Sequence, residues 1–415
     1  MPKQRFFLFL LFFIIAPNLL LGITRDNRYF PFIDREFFRT CTERSRLTPF
    51  VFFNTGSDAF APDDAEEGIS EVWGKYDQAN VARALDEIGK PSDLFIRFPQ
   101  LIGTKIEWTI EGKLQSQGVG FYYDQHICNW LSVGWAGAFM HVFSNQNFLL
   151  SQEVFQRLNN SVSEVRELDQ IRRNMNNLLG LAGPKWSATG ATDMRLYVDF
   201  GNVWDYVLKF RRIDASVRVG ALIPTGVTRD PNNPASVPFS GNGLWGVFTR
   251  GEAQFELKED WHAGLLLQFN QRFSKIRTMR VPIQNEQPLF GAEVVPVKIH
   301  PGFTFIFSPY FRLESIRDGF GFSAKYSLTL HEDDTFKDAR TAPQTPQLTL
   351  GGLNKHSEWR SEYVTFSGFI DFARVWCSKS FTPTIWLSWS APFRILAAEG
   401  VAKTNYIQLG LEWIY

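Results

Sequence analysis

Beyond residue 22, this chain of 415 residues lacks any apolar run of the roughly 20 residues that a membrane-spanning helix needs. Charge imbalance is also missing. Its 43 basic and 43 acidic residues give a formal net charge of +0, so there is no electrostatic basis for binding nucleic acid. Cysteine is scarce: Cys41, Cys128 and Cys377 are an odd number, so they cannot all pair within the chain, and no disulfide framework is expected. The histidines at 126, 141, 262, 300, 331 and 356 are scattered without metal-ligand spacing. The acidic group Asp63, Asp64, Glu66 and Glu67 lacks the spacing and glycine of a calcium loop, and reads as a solvated loop. No cofactor is implied.

What the chain does have is aromatic residues, 40 Phe, 13 Trp and 11 Tyr, making 15% of the sequence against 21% charged. Its first 22 residues follow the plan of a secretory signal peptide: a basic start (Lys3, Arg5), an apolar run from Phe6 to Ala16, then Pro17 and a Leu-rich segment to Gly22. Residues 23–415 are then the exported domain. The alternative reading, an N-terminal anchor, is opposed by the shortness of the run and by Pro17. An exported chain that stays in a membrane without apolar helices can satisfy its backbone groups only as a closed barrel.

The C-terminus carries the clearest pattern. Ile407, Leu409, Leu411, Trp413 and Tyr415 share one face of an extended strand, while Thr404, Tyr406, Gln408, Gly410, Glu412 and Ile414 share the other. This alternation with a terminal aromatic resembles the assembly signal of Gram-negative outer-membrane β-barrels. The resemblance implies location in the bacterial outer membrane, contact with the lipid bilayer, and recognition by the barrel assembly machinery.

The same period of two recurs upstream. Thr384 to Phe393, Tyr363 to Val375, Phe320 to Leu330 and Lys298 to Leu313 each alternate apolar with polar, although Pro301 and Pro309 suggest a bulge or strand end in the last. Trp245 to Phe273 reads as a hairpin around Lys258 to Asp260, preceded by strands at Ile213 to Ile223 and Met194 to Phe200. The weaker Trp130 to Phe143 and Leu47 to Asn54 complete the set. In the stretch after Ile106, Trp108, Ile110 and Leu114 read as outward and Glu107, Thr109, Glu111 and Lys113 as inward. The apolar phase then moves to Val119, Phe121 and Tyr123, which calls for a bulge or a turn near Ser116 to Gly118. The fold class is therefore all-β, an antiparallel transmembrane barrel of about twelve strands, within roughly ten to fourteen. Short connections at Lys258 to Asp260, Ser315 to Gly319 and Ser378 to Ser380 alternate with long polar ones at Thr225 to Asn242, Ile276 to Pro296 and Glu332 to Glu358.

Two helices are expected in the outer loops. Ser161 to Leu181 has Ser161 as N-cap and Glu164 three residues on, a capping-box pattern, and a second runs from Gln78 to Ile88 and ends at Gly89. They either cap the loops or fold inward as a plug.

On this facing, the lumen receives Arg218, Arg250, Glu252, Glu256, Arg272, Lys298, Arg312, Lys325, Asp371 and Glu412, together with Lys113, Arg195, Glu107, Glu111, Asp199 and Asp214. Such charges either pair and fill the barrel or line a path that selects solutes by local field. The chain then reads as a non-enzymatic, porin-like channel for small hydrophilic solutes or ions. His141, Ser144 and Asn145 resemble the His and Ser of outer-membrane phospholipases, but His and Ser stand three apart rather than two, on opposite strand faces. Three alternatives stand beside the channel: a closed barrel presenting its outer loops for structure or adhesion, the translocator of a self-secreting protein, and a FadL-like transporter of hydrophobic solutes. The last is suggested by Asn233, Pro234 and Ala235, which resemble a short motif of that family. Oligomeric state is not legible in the sequence.

Overall fold

The computed structural model describes residues 26–30, 45–61, 66–317, 319–341, 346–376 and 382–414. The signal segment, Tyr415, Cys41, Cys377, Asp63, Asp64 and the turn Ser378 to Ser380 lie outside the described residues. Twelve antiparallel strands form a closed barrel: β1 (Arg46–Gly56), β2 (Glu107–Cys128), β3 (Leu131–Leu150), β4 (Met194–Asp205), β5 (Arg212–Ile223), β6 (Gly246–Lys258), β7 (Trp261–Arg272), β8 (Thr304–Arg317), β9 (Phe320–His331), β10 (Trp359–Asp371), β11 (Thr382–Phe393) and β12 (Asn405–Ile414). Each strand pairs with its neighbour in sequence, and β12 closes on β1 through partners such as Phe50 and Gly410. No helix among the described residues is long and apolar enough to cross a membrane.

The outer surface of the barrel is apolar at mid-height. Val51, Phe53, Phe269, Phe366, Leu387, Trp389, Ile407 and Leu409 are all exposed, and each alternates with buried neighbours. Such a girdle, on a barrel with no free edge, is stable only in an apolar medium, so the barrel spans a membrane. The short turns, as at Glu259 and Asp260, share one rim with the C-terminal end of β12, and the long connections rise from the other.

The inward face is built from glycine and aromatic pairs. Phe50 lies opposite Gly120, Tyr197 opposite Gly134, Phe248 opposite Gly220, Tyr310 opposite Gly264, Phe369 opposite Gly321 and Trp386 opposite Gly410. In each pair, a Cβ on the glycine would stand within 2.6 Å of the partner's ring, so only glycine lets these rings lie flat against the wall.

The structure departs from the sequence pattern in three places, the smallest being that the strand read as Tyr363 to Val375 ends at Asp371 and Phe372–Trp376 is a short helix. First, β2 runs without interruption, and its bulge falls at His126 to Cys128, not near Ser116. Trp108, Ile110 and Leu114 are buried while Glu111 and Lys113 are exposed, the reverse of the facing expected. The cause is the surrounding medium. β2 and β3 extend past the end of β1 at Gly56, which pairs with Leu114, so their outer ends leave the bilayer. There the outside is water and the inside is a protein core. Helices α1 (Gln78–Glu87) and α2 (Val162–Leu178) form a continuous core with Trp108 and Ile110. Ser161 accepts from the Glu164 N–H at 3.4 Å, and Asp77 caps α1 through Ala79 N–H at 2.9 Å. The helices thus cap this hairpin extension.

Second, Lys298 to Leu313 is not one strand. Glu293–His300 belongs to a separate sheet with Lys275–Val281 and Thr335–Asp338, so two of the long connections carry ordered structure. Lys298 is exposed there and lines no lumen, while Ile299 is buried beside Val297 and Phe336. Pro301 falls between the two strands; Pro309 lies within β8, opposite Leu265.

Candidate functional site: the outer mouth and the charged lumen

The short segment Asp26–Phe30 crosses the outer mouth of the barrel. Asn27 fixes its shape: its Oδ1 accepts from Tyr29 N at 2.8 Å and Phe30 N at 3.3 Å, a side-chain turn, while its Nδ2 donates to Pro238 O at 2.8 Å. Phe30, 1% exposed, enters a core with the lumenal rings of Phe50, Phe52 and Trp386. The Arg28 guanidinium donates to the carbonyls of Val72 (3.1 Å) and Ser357 (2.8 Å), and the Arg28 carbonyl accepts from Ala402 N at 3.1 Å. The Tyr29 hydroxyl accepts from Trp73 Nε1 at 2.9 Å and from Arg229 at 2.8 Å. Five residues thereby gather loops from four places in the chain.

The deepest tie is ionic. Arg272, at the outer end of β7, pairs with Asp26 and, at 2.9 Å, with Asp193. Asp193 also accepts from the backbone N–H groups of Gly226 and Gly241, both at 3.0 Å. All three charges are buried, where a fully hydrogen-bonded cluster is held far more firmly than a surface pair.

Below the mouth, charged side chains on the inward face pair along a strand or between nearby strands. Arg218 meets Asp199 at 3.1 Å and Asp124 at 3.7 Å; Arg46 meets Asp124 at 2.9 Å and Glu412 at 3.9 Å; the Tyr197 hydroxyl donates to Asp124 at 2.9 Å. Across the barrel, Arg250 pairs with Glu252 at 2.5 Å, the Tyr310 hydroxyl reaches Glu252 at 3.2 Å, and Arg312 pairs with Glu314 at 3.1 Å. Lys325 is buried on β9. Glu256 sits near the turn rim, 3.6 Å from Arg211, and Asp371 is at the same rim, 3.6 Å from Arg374. The structure thus gathers most of the expected set and pairs Arg46, Arg218, Arg250 and Arg312 with neighbouring carboxylates, the first of the two arrangements expected.

Sequence reading missed the mouth. Asp26, Asn27 and Arg28 follow the signal segment without periodicity, and nothing local marks them as an insert. Asn233, Pro234 and Ala235 do converge there: all three are buried, and Gln146 Nε2 donates to the Pro234 carbonyl at 3.1 Å. His141 is exposed, 2.8 Å from Thr189 Oγ1, while Ser144 is buried on the opposite face of β3. Among the described residues no group of His, Cys, Asp and Glu is placed to hold a metal.

No protein-family model matches the chain, and no curated protein matches it. Among solved structures, it is similar to an outer membrane channel from Pseudomonas putida F1, at 8% identity and TM-score 0.48, over 92% of this chain and 100% of that one. A mutant of the TodX monoaromatic hydrocarbon channel aligns at 10% identity and TM-score 0.32, over 95% and 99%. A FadL homologue of Pseudomonas aeruginosa aligns at 7% identity and TM-score 0.32, over 90% of each chain.

Proposed function

We propose that this outer-membrane barrel is a gated passive channel for small hydrophilic solutes or ions, closed at its outer mouth by the segment Asp26–Phe30. The observation that carries this reading is the origin of the material in the mouth. The segment is not a strand of the wall. It is an inserted piece of chain, held by hydrogen bonds to the outer loops, by the packing of Phe30 and by one ionic cluster, and no barrel strand pair runs through it, so its release would leave the wall intact. The inward glycines support the reading, because they lay large rings against the wall. The inward charges Arg218, Arg250, Glu252, Arg312, Lys325 and Glu412 would line the path once the mouth is open. At the other end, Ile407, Leu409, Leu411 and Trp413 face outward on β12, where the assembly machinery would read them.

A second reading has its own observation. The lumenal side chains are buried, which suits a permanently closed barrel that presents its long outer loops to a partner. Solute flux separates the two. Proteoliposomes holding the parent should swell slowly in a small sugar, and those holding an Asp26→Ala, Arg28→Ala variant should swell severalfold faster. Equal, background-level swelling with correctly inserted protein would favour the closed barrel.

A further inference from the structure

Beside the inserted segment lies a cavity of about 180 Å³, bounded by that segment, the loop from Gly226 to Leu244 and the outer sheet. Five arginines line it, Arg28, Arg229, Arg272, Arg277 and Arg280, against three aspartates, Asp26, Asp230 and Asp334. Arg272 is satisfied by Asp26 and Asp193. Arg28 and Arg280 are anchored on carbonyls, Arg280 at 2.7 Å from both Pro231 O and Gly291 O. Burial holds both guanidinium groups below their usual value, at about 10, so they stay charged at neutral pH.

Arg229 and Arg277 differ. Among the described residues neither has a carboxylate within ion-pair distance, and each keeps a buried N–H without a hydrogen-bond partner, Nε on Arg229 and Nη1 on Arg277. They also crowd other cations. Arg28 and Arg229 stack on one Trp73 ring, at 4.6 and 5.3 Å from its centroid. Like charges held together with unmet donors repel one another, and a negative group joining them would relieve that repulsion. Leu289, Ile299, Phe336 and Leu353 give the cavity an apolar patch, alongside polar residues such as Asn242 and Thr278.

We infer that this cavity is a binding site for a small organic anion, a carboxylate on an apolar body, held by Arg229 and Arg277. A planar carboxylate matches the guanidinium fork, and the apolar patch would take a ring or short chain. A compact, fully hydrated anion such as phosphate would use the charge but waste the patch. The site stands apart from the channel reading, because binding requires no bilayer.

The test is calorimetric titration of the full-length, detergent-solubilised protein with benzoate, its neutral isostere benzamide and inorganic phosphate. Benzoate should bind once per chain, about tenfold or more tighter than either of the others, since a charge-assisted hydrogen bond is worth at least that factor. Arg277→Gln and Arg229→Gln should each weaken benzoate by a similar factor. Arg277 is half-buried and, among the described residues, its side chain makes no hydrogen bond or ion pair, so its variant should keep the parent's heat-modifiable mobility. Benzoate binding no tighter than benzamide or phosphate, or unchanged in both variants, would overturn the inference. A protein that binds benzoate but never conducts would fail only the channel reading; one that conducts without binding would fail only this one.

Discussion

Asp26 and Arg272, 246 positions apart in sequence, form a buried ion pair that fastens the chain's inserted segment to the outer end of a barrel strand. The second contact, from Arg272 Nη2 to Asp26 Oδ1, is 3.0 Å, so the pair is bidentate. Arg272 would keep Asp193 if Asp26 were lost. The barrel should therefore survive what the mouth does not.

That asymmetry gives the first expectation. Asp26→Asn should leave the yield of folded barrel unchanged but loosen the segment, because a buried pair broken on one side costs about 3 to 5 kcal/mol. Protease protection of the outer mouth should fall while heat-modifiable mobility stays. Arg272→Gln should also lower the yield, since it leaves two buried carboxylates unpaired.

The facing of the wall is tested by depth. Leu267 lies at the middle of β7 and Leu257 at the turn end of β6, both on the outer surface. Lysine at Leu267 should cost about 2 to 4 kcal/mol in vesicle refolding, and lysine at Leu257 only about 0 to 1. Equal losses would mean that the apolar girdle is not where the bilayer sits.

Gly264 is the seat of Tyr310, whose ring a Cβ would approach to 2.2 Å. Gly264→Ala should destabilise the barrel by about 1 to 3 kcal/mol through overpacking. It should also shift Tyr310 from its contacts with Glu252 and Gln254, both at 3.2 Å. Urea refolding midpoints for this variant and for Tyr310→Phe, Gly264→Ala would separate the packing cost from the lost hydrogen bonds.

Acid should loosen the outer loops through His356. Burial, and after it the charges of Arg28 and Lys355, hold its imidazole below the usual value. Opened loops would take up a proton at about pH 6.5, and closed loops only at lower pH. The contribution to closure is therefore full above about pH 6.5 and lost progressively as pH falls below it. Opening events should rise between about pH 7.5 and pH 5.5 in the parent, and this part of the rise should be missing in His356→Gln.

The sequence was legible wherever one rule held along a whole strand. From β6 to β12 a bilayer outside and polar groups inside impose one alternation, and the facing of Arg250, Glu252, Arg312 and Lys325 follows directly from it. The rule misleads where the medium changes. Glu107, Glu111 and Lys113 sit on a strand that has left the bilayer, so its polar face turns outward to water. The unbroken parity from Val119 and Phe121 back to Lys113 was the available signal. Lys298 was misplaced because strands of the outer sheet alternate as well, with no lipid on either side. The mouth was illegible for another reason: alternation turns Arg272 inward, but its partners Asp26 and Asp193, like Arg229 and Arg277, reach the mouth only through tertiary folding, and no spacing announces them.

Single-channel recording in planar bilayers, comparing the parent with a variant lacking residues 26–30, bears most directly on the gated channel. The variant should give a steady ion conductance and the parent brief, infrequent openings to the same level. Silence from a deletion variant whose heat-modifiable mobility proves correct folding and insertion would contradict the account.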